Sequence, residues 1–171
     1  RRVAVPGRKS GITGRAGLVR LVGYDHEGVV DITVIVAYAK VNTYEKGKVE
    51  EMRRINTELW GWVEWEMRNA PAATTVVVLT DANGHVGSVR GCNGEVGGVG
   101  REGREKENWN GKVFRETMER QDMRIVNTFE RRGCGKTYYG GAGYGIGATR
   151  VDYVCVPGEM ADGVRKCVVD T

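Results

Sequence analysis

An aspartate and an asparagine stand two residues apart directly after a run of apolar residues. Asp81 and Asn83 follow residues 74–80, and a glycine-rich segment comes next. Strand ends at the edge of an open sheet are a common place for functional side chains. A carboxylate there can bind Mg²⁺ or position a water, and a neutral amide can hold a phosphate oxygen without repelling it. An Asx turn at the end of a strand would equally explain this pair.

A second aspartate lies inside an alternating segment, residues 150–156. In a strand, Asp152 would share one face with Val154 and Val156. Because a buried charge is costly unless it is paired, Asp152 should have a metal, a histidine or an arginine as its partner. A salt bridge to Arg150 on the same face would meet that need without any catalytic role.

Two histidines and a tyrosine complete the candidate set. His85 lies close to Asp81 in sequence, and His26 falls in a predicted hairpin turn. Either could bind a metal, although single histidines in loops are usually exposed to solvent. Tyr38 ends an apolar run, so its hydroxyl could reach a phosphate, while packing at the edge of the sheet is the simpler explanation.

Strands and helices in alternation must position these residues. Runs rich in Val and Ile predict a β-hairpin from 18–22 and 31–39, and residues 32–38 are apolar enough for a strand buried on both faces. Apolar residues recurring every three or four positions predict helices over about 44–69 and 110–121. Further strands are predicted over 74–80, 123–128, 136–139, 150–156 and 164–169. This order predicts one domain with a layered α/β sandwich.

The composition fits a globular domain. The chain has 171 residues, of which 40% are hydrophobic and 28% charged, and its net charge of +4 suits a polyanionic partner without identifying one. The cysteines are widely spaced and form no CxxC pair, so the sequence shows neither a zinc site nor a redox motif. No apolar run reaches the roughly 20 residues of a membrane span.

Four segments, in this order, resemble the endonuclease/exonuclease/phosphatase superfamily. Residues 34–39 are similar to the strand that ends Tyr-Ala-Pro, and residues 80–83 to Gly-Asp-Phe-Asn. Asn127-Thr128-Phe129 with Thr137-Tyr138 resembles the Asn-Thr-Phe and Thr-Trp pair, and residues 150–154 resemble Gln-Ile-Asp-Tyr-Ile. A fifth segment, Asn108-Trp109-Asn110-Gly111, is similar to one in endonuclease domains of retroelement polyproteins and of craniofacial development protein 2. Lys40 replaces the usual proline, Thr80 the usual glycine, and Ala82 an aromatic residue.

The resemblance implies a four-layer αββα sandwich and hydrolysis of DNA phosphodiester bonds with Mg²⁺ or Mn²⁺. Asp81 would bind the metal or activate water, Asn83 and Tyr38 would contact the scissile phosphate, and Asp152 would orient a catalytic histidine. The substrate-binding residues would be Asn110 and Asn127. DNA is the implied partner and the nucleus the implied location, while neither a membrane nor a protein partner is indicated.

The metal-binding glutamate of the superfamily and its Ser-Asp-His motif have no counterpart in residues 1–171. The resemblance therefore implies a single partial domain, incomplete at both ends, with impaired endonuclease activity. Two other functions stay open. The chain could be an inactive, domesticated or decayed retroelement protein that acts as a binding scaffold, or a phosphatase of phosphoinositides or similar small phosphates.

Overall fold

A computed structural model describes residues 14–26, 28–87, 98–100, 106–129, 136–138 and 149–167. In this part of the chain, the strands are β1 (Ala16–Asp25), β2 (Gly28–Tyr38), β3 (Thr75–Asp81), β4 (Met123–Ile125) and β5 (Asp152–Pro157). They form one sheet in the order β1-β2-β3-β5-β4. Strands β2 and β3 are parallel, and the other neighbouring pairs are antiparallel. The helices are α1 (Val49–Asn69) and α2 (Trp109–Arg120).

The two helices cover one face of the sheet. In α1 the stripe of Met52, Ile55, Leu59 and Val63 is buried, as its spacing predicts. The ring of Phe114 on α2 lies between Trp60 on α1 and Tyr153 on β5, with ring centroids 5.0 and 5.2 Å away. Both helices are therefore tied to the sheet through one aromatic stack at the centre of the core.

The other face of the sheet is partly open. Ile35 and Val78 point towards the helices and are fully buried, whereas Val36 and Leu79 point the other way and are 48% and 37% exposed. The prediction that residues 32–38 form a strand buried on both faces is thus wrong for the described structure. The described residues supply one sheet layer and one helix layer of the predicted αββα sandwich.

Three predicted strands differ from the structure. The segment 123–128 is divided into β4 and a 3₁₀ turn at Val126–Thr128. Of residues 136–139, only Tyr138 pairs, through an isolated bridge to Thr149, and residue 139 lies outside the described part. Residues 164–167 form no strand; they follow a 3₁₀ turn at Gly158–Gly163, and Val164 and Cys167 pack against the cluster of Val126, Val156 and Ala161. Residues 168 and 169 are not described.

Neither described helix combines the length and the apolar composition that a membrane-crossing helix needs.

Candidate active site

Three of the predicted site residues lie in one row across three strands. Tyr38, the last residue of β2, is in register with Asp81, the last residue of β3, and Asp81 is in register with Asp152, the first residue of β5. Residues in register on neighbouring strands point to the same face of a sheet. This face is the one opposite the helices, because Thr80 and Tyr153, next to the two aspartates, face the core.

The two aspartates form a close pair. The N–H of Ala82 donates to the carbonyl oxygen of Val151 at 2.8 Å. Asp81 and Asp152 are therefore a non-hydrogen-bonded pair, in which opposing side chains of antiparallel strands are closest. Burial raises the pKa of the Asp81 carboxyl, the hydrogen bond from the Asn83 N–H lowers it, and the negative charge of Asp152 raises it further.

A cavity of about 360 Å³ opens beside this pair. Its polar lining residues include Asp81, Asp152, Asn127 and Thr137, and the remainder of its wall includes valine and leucine side chains from the open face of the sheet. Two carboxylates, an amide and a hydroxyl at the rim of an apolar wall make an arrangement that can bind a cation and a polar ligand side by side.

The backbone on either side of Asp152 is held by two of these lining residues. The Oγ1 of Thr137 accepts hydrogen bonds from the N–H groups of Val151 and Asp152, at 3.0 and 3.1 Å. The Nδ2 of Asn127 donates to the Asp152 carbonyl at 2.9 Å, and its Oδ1 accepts from the N–H of Val154 at 3.2 Å. Asn127 thus lines the cavity while its amide is engaged with β5, and its contact with substrate stays a prediction.

Asn83 fixes the turn that follows β3. Its φ of 43° lies in the left-handed region, where asparagine is more common than most residues. Its N–H donates to Oδ1 of Asp81 at 2.8 Å, which is an Asx turn, and its Nδ2 donates to the Ala39 carbonyl at 2.9 Å. Asn83 therefore joins the ends of β2 and β3 while it orients the Asp81 carboxylate.

Asn110 lies under this turn and not at the surface. Its Nδ2 donates to the carbonyl oxygens of Lys40 and Asn83, both at 2.9 Å, and its Oδ1 accepts from Nδ2 of Asn56 at 3.0 Å. Asn56 on α1 also exchanges two hydrogen bonds with the backbone of Lys40. Both amide side chains are 0% exposed, so the substrate contact predicted for Asn110 does not fit its position.

The Asn108–Gly111 segment packs α2 against the loop that follows β3. Asn108 caps the helix, and its Oδ1 accepts from the N–H groups of Gly111 and His85 at 3.0 and 3.1 Å. A Cβ atom on Gly111 would lie 1.9 Å from the His85 carbonyl oxygen, so only glycine fits. In the structure this motif therefore holds the loop after β3 from the helix side of the sheet.

The histidines have separate surroundings. His85 is partly buried, and its Nε2 lies 2.8 Å from Oγ1 of Thr149. It is therefore not the solvent-exposed loop histidine that its sequence context favours. His26 is exposed in the turn between β1 and β2, far along the sheet from the row of Tyr38 and Asp81.

The aspartate pair fits Mg²⁺. This ion is usually held by one or two carboxylates together with waters and substrate phosphates, which is the donor set that Asp81 and Asp152 offer. Among the described residues no group of three or more His, Cys, Asp or Glu side chains could hold a metal, so the four protein ligands of a structural zinc site are not present there. A cation between the two carboxylates would also offset their mutual repulsion.

No family model and no curated protein matches the sequence. Among solved structures, the chain is similar to the 3'-5' exonuclease NExo from Neisseria meningitidis, with 16% identity and a TM-score of 0.56. It is also similar to the catalytic domain of Xenopus laevis APE2, with 17% identity and a TM-score of 0.52. The matches cover 90% and 87% of this chain.

The chain has the endonuclease/exonuclease/phosphatase fold. The fold class predicted from the order of the sequence motifs is thereby confirmed. The chain spans 62% of the Neisseria protein and 48% of the Xenopus domain. The likeness to retroelement endonucleases and to craniofacial development protein 2 stays a prediction from the sequence.

Proposed function

We propose that this chain hydrolyses phosphodiester bonds in DNA with a divalent cation held by Asp81 and Asp152. The observation that carries the proposal is the position of these two carboxylates, which are in register on β3 and β5 and line one cavity. The Neisseria neighbour is named as a 3'-5' exonuclease, which supports the reaction class.

Each residue of the row would have a distinct part in the reaction. Bound Mg²⁺ supplies charge neutralisation at the phosphate oxygens. The hydroxyl of Tyr38, in register with Asp81, would donate a hydrogen bond to a phosphate oxygen. Asn83 would keep the Asp81 carboxylate oriented through the bond from its N–H. Asn127 and Thr137 would hold the backbone of Asp152, and Asn110 would act on the site only through the turn that it supports.

A retroelement-type endonuclease is the finer form of this proposal. It is supported by the order of the five sequence motifs and by the packing of Asn108–Gly111, which lies directly under the turn that carries Asn83. Mg²⁺ or Mn²⁺ is the expected metal, and a nuclear location follows only from the resemblance.

Binding of DNA without cleavage is the second candidate. The observation that favours it is the small ligand set, because the described part of the chain brings no third acidic or histidine side chain to Asp81 and Asp152. General acid or base groups typically contribute about 10²- to 10⁴-fold to a rate. Weak or absent nicking with intact DNA binding is the outcome that this second function predicts.

Nicking of supercoiled plasmid DNA tests the proposal. Wild-type protein should nick slowly in Mg²⁺ or Mn²⁺ and not in EDTA, and Asp81→Asn should abolish the nicking. The matched control is Asp122→Asn, which makes the same change at a side chain that is 82% exposed. Equal nicking by Asp81→Asn and the wild type would contradict the proposed site.

A further inference from the structure

The row of site residues extends by one position beyond Tyr38. The N–H of Tyr38 donates to the Arg15 carbonyl at 2.7 Å, and Ala16 and Ala37 are in register, so Arg15 is opposite Tyr38. The guanidinium carbon of Arg15 lies 5.5 Å from the centre of the Tyr38 ring. A cation, a phenol and two carboxylates therefore stand side by side across four neighbouring chain segments.

The surroundings of Arg15 differ from those of most arginines in the described structure. Arg20, for example, pairs with Asp31, and Arg115 pairs with Glu107 and Glu119. Arg15 has no carboxylate within salt-bridge distance among the described residues, and its buried Nη1 finds no hydrogen-bond acceptor there. A buried donor without an acceptor is unfavourable, and an anionic ligand would satisfy it.

We infer that Arg15 and Tyr38 form a phosphate-binding subsite beside the carboxylate pair, which receives a backbone phosphate of a nucleic acid. The ring of Tyr38 holds the guanidinium in place by a cation–π contact, and the planar fork of Arg15 can donate two parallel hydrogen bonds to phosphate oxygens. The inference rests on the proposed function, since it takes the carboxylate pair as the reacting end of the site.

The charges of the row agree with this assignment. A cation bound by Asp81 and Asp152 at one end would contact one side of a phosphodiester, and Arg15 at the other end would contact its anionic oxygens or a neighbouring phosphate. Tyr38 lies between them in register and is 46% exposed, so it is accessible to a ligand. Sequence motifs gave no indication of Arg15, because it precedes β1 and lies 66 positions before Asp81.

Binding in the presence of EDTA tests the subsite independently of cleavage. A short fluorescein-labelled DNA duplex is titrated with wild type, Arg15→Met and Arg53→Met, and the titration is repeated over a range of salt concentrations. Arg53 is the matched control, because its guanidinium carbon lies 5.5 Å from the centre of the Trp109 ring, the same geometry as Arg15, but on the helix layer. Thermal unfolding of each variant shows whether it is folded.

We expect Arg15→Met to weaken duplex binding roughly tenfold, as the loss of one charged hydrogen-bonding group does. The slope of log affinity against log salt should decrease by about 0.9, the value for one phosphate contact. Arg15→Lys should keep the slope, because it retains the charge, with an affinity between those of wild type and Arg15→Met. Arg53→Met should match the wild type in both measurements.

Inorganic phosphate, used as a competitor, distinguishes a nucleic-acid phosphate from free phosphate as the ligand of the subsite. It should displace the duplex from wild type more readily than from Arg15→Met. Loss of this competition with unchanged duplex affinity would indicate a site for free phosphate and overturn the nucleic-acid assignment. Equal weakening by Arg15→Met and Arg53→Met would also overturn the subsite, while the nicking result for Asp81→Asn would still decide the proposed hydrolysis. If Arg15→Met does not fold, Arg15→Lys and Arg53→Lys give the same comparison through affinity.

Discussion

Replacement of Asn56 by alanine removes the side chain that joins α1 to the end of β2. The Oδ1 of Asn56 accepts from the Lys40 N–H at 2.7 Å, and its Nδ2 donates to the Lys40 carbonyl at 2.9 Å and to Oδ1 of Asn110 at 3.0 Å. In Asn56→Ala the Lys40 N–H and the Asn110 Oδ1 both lose these partners. The Lys40 carbonyl keeps a hydrogen bond from Asn110.

The expected loss follows from the two groups that are left without partners. Each buried polar group that loses its hydrogen bond costs about 1–3 kcal/mol, so Asn56→Ala should lower the free energy of unfolding by about 2–6 kcal/mol. A whole domain is stable by only about 5–15 kcal/mol, so this variant should be close to unfolding under ordinary conditions.

Urea denaturation, followed by circular dichroism, measures this loss. Asn69→Ala is the control, since it makes the same change on the same helix but removes one exposed hydrogen bond, from Nδ2 of Asn69 to the Trp65 carbonyl at 2.7 Å. Surface changes of this kind usually stay within about 0.5 kcal/mol. A loss in Asn56→Ala that is no larger than the loss in Asn69→Ala would refute the reasoning.

Two further pairs of variants test the packing of Gly111 and the ion pair of Glu64. Gly111→Ala should lower the free energy of unfolding by more than about 3 kcal/mol, because its Cβ would meet a backbone carbonyl at 1.9 Å, whereas Gly61→Ala, in open space within α1, should raise it by about 0.5–1 kcal/mol. Urea denaturation of both variants checks this pair, and a stable Gly111→Ala would contradict the packing. The hydrogen bond from Arg120 holds the pKa of Glu64 below its ordinary value. The stabilisation of the fold by ionised Glu64 is therefore present above the ordinary carboxyl pKa and is lost as the pH falls through the lowered pKa. Glu64→Gln should cost about 0.5–1 kcal/mol near neutral pH and almost nothing well below about pH 4, in a series of thermal melts with Glu58→Gln as control; a pH-independent gap would refute it.

Local patterns predicted most of the elements but not the coverage of the sheet. The hairpin of β1 and β2 and the helices α1 and α2 follow from spacing within one segment, so the sequence was sufficient for them. The face of residues 32–38 was predicted wrongly, because an apolar run shows that a strand favours burial and does not show what covers it. Residues 164–167 were predicted wrongly for a similar reason, since Val164 packs on the cluster that contains Val156 without pairing as a strand.

The candidate site was partly predictable from strand ends. Tyr38 and Asp81 each stand at the end of an apolar run and Asp152 lies in an alternating one, and the sheet brings the three into one row. Arg15 was missed because only the register with Tyr38 shows its place. Asn56 was missed although a signal existed, since it lies four positions from both Met52 and Trp60 and so shares their buried stripe.

The hydrogen bond between the Lys40 N–H and Asn56 has a consequence for how such sequences diverge. The superfamily resemblance places proline at position 40, and proline has no N–H to donate. With proline there, the carboxamide oxygen of a buried asparagine at position 56 would have no donor from residue 40. The two positions are thus coupled by one atom each, although they lie on different elements. Among related chains, we expect an acceptor on the helix to accompany a non-proline residue after the Tyr-Ala pair, and the two changes to be inherited together.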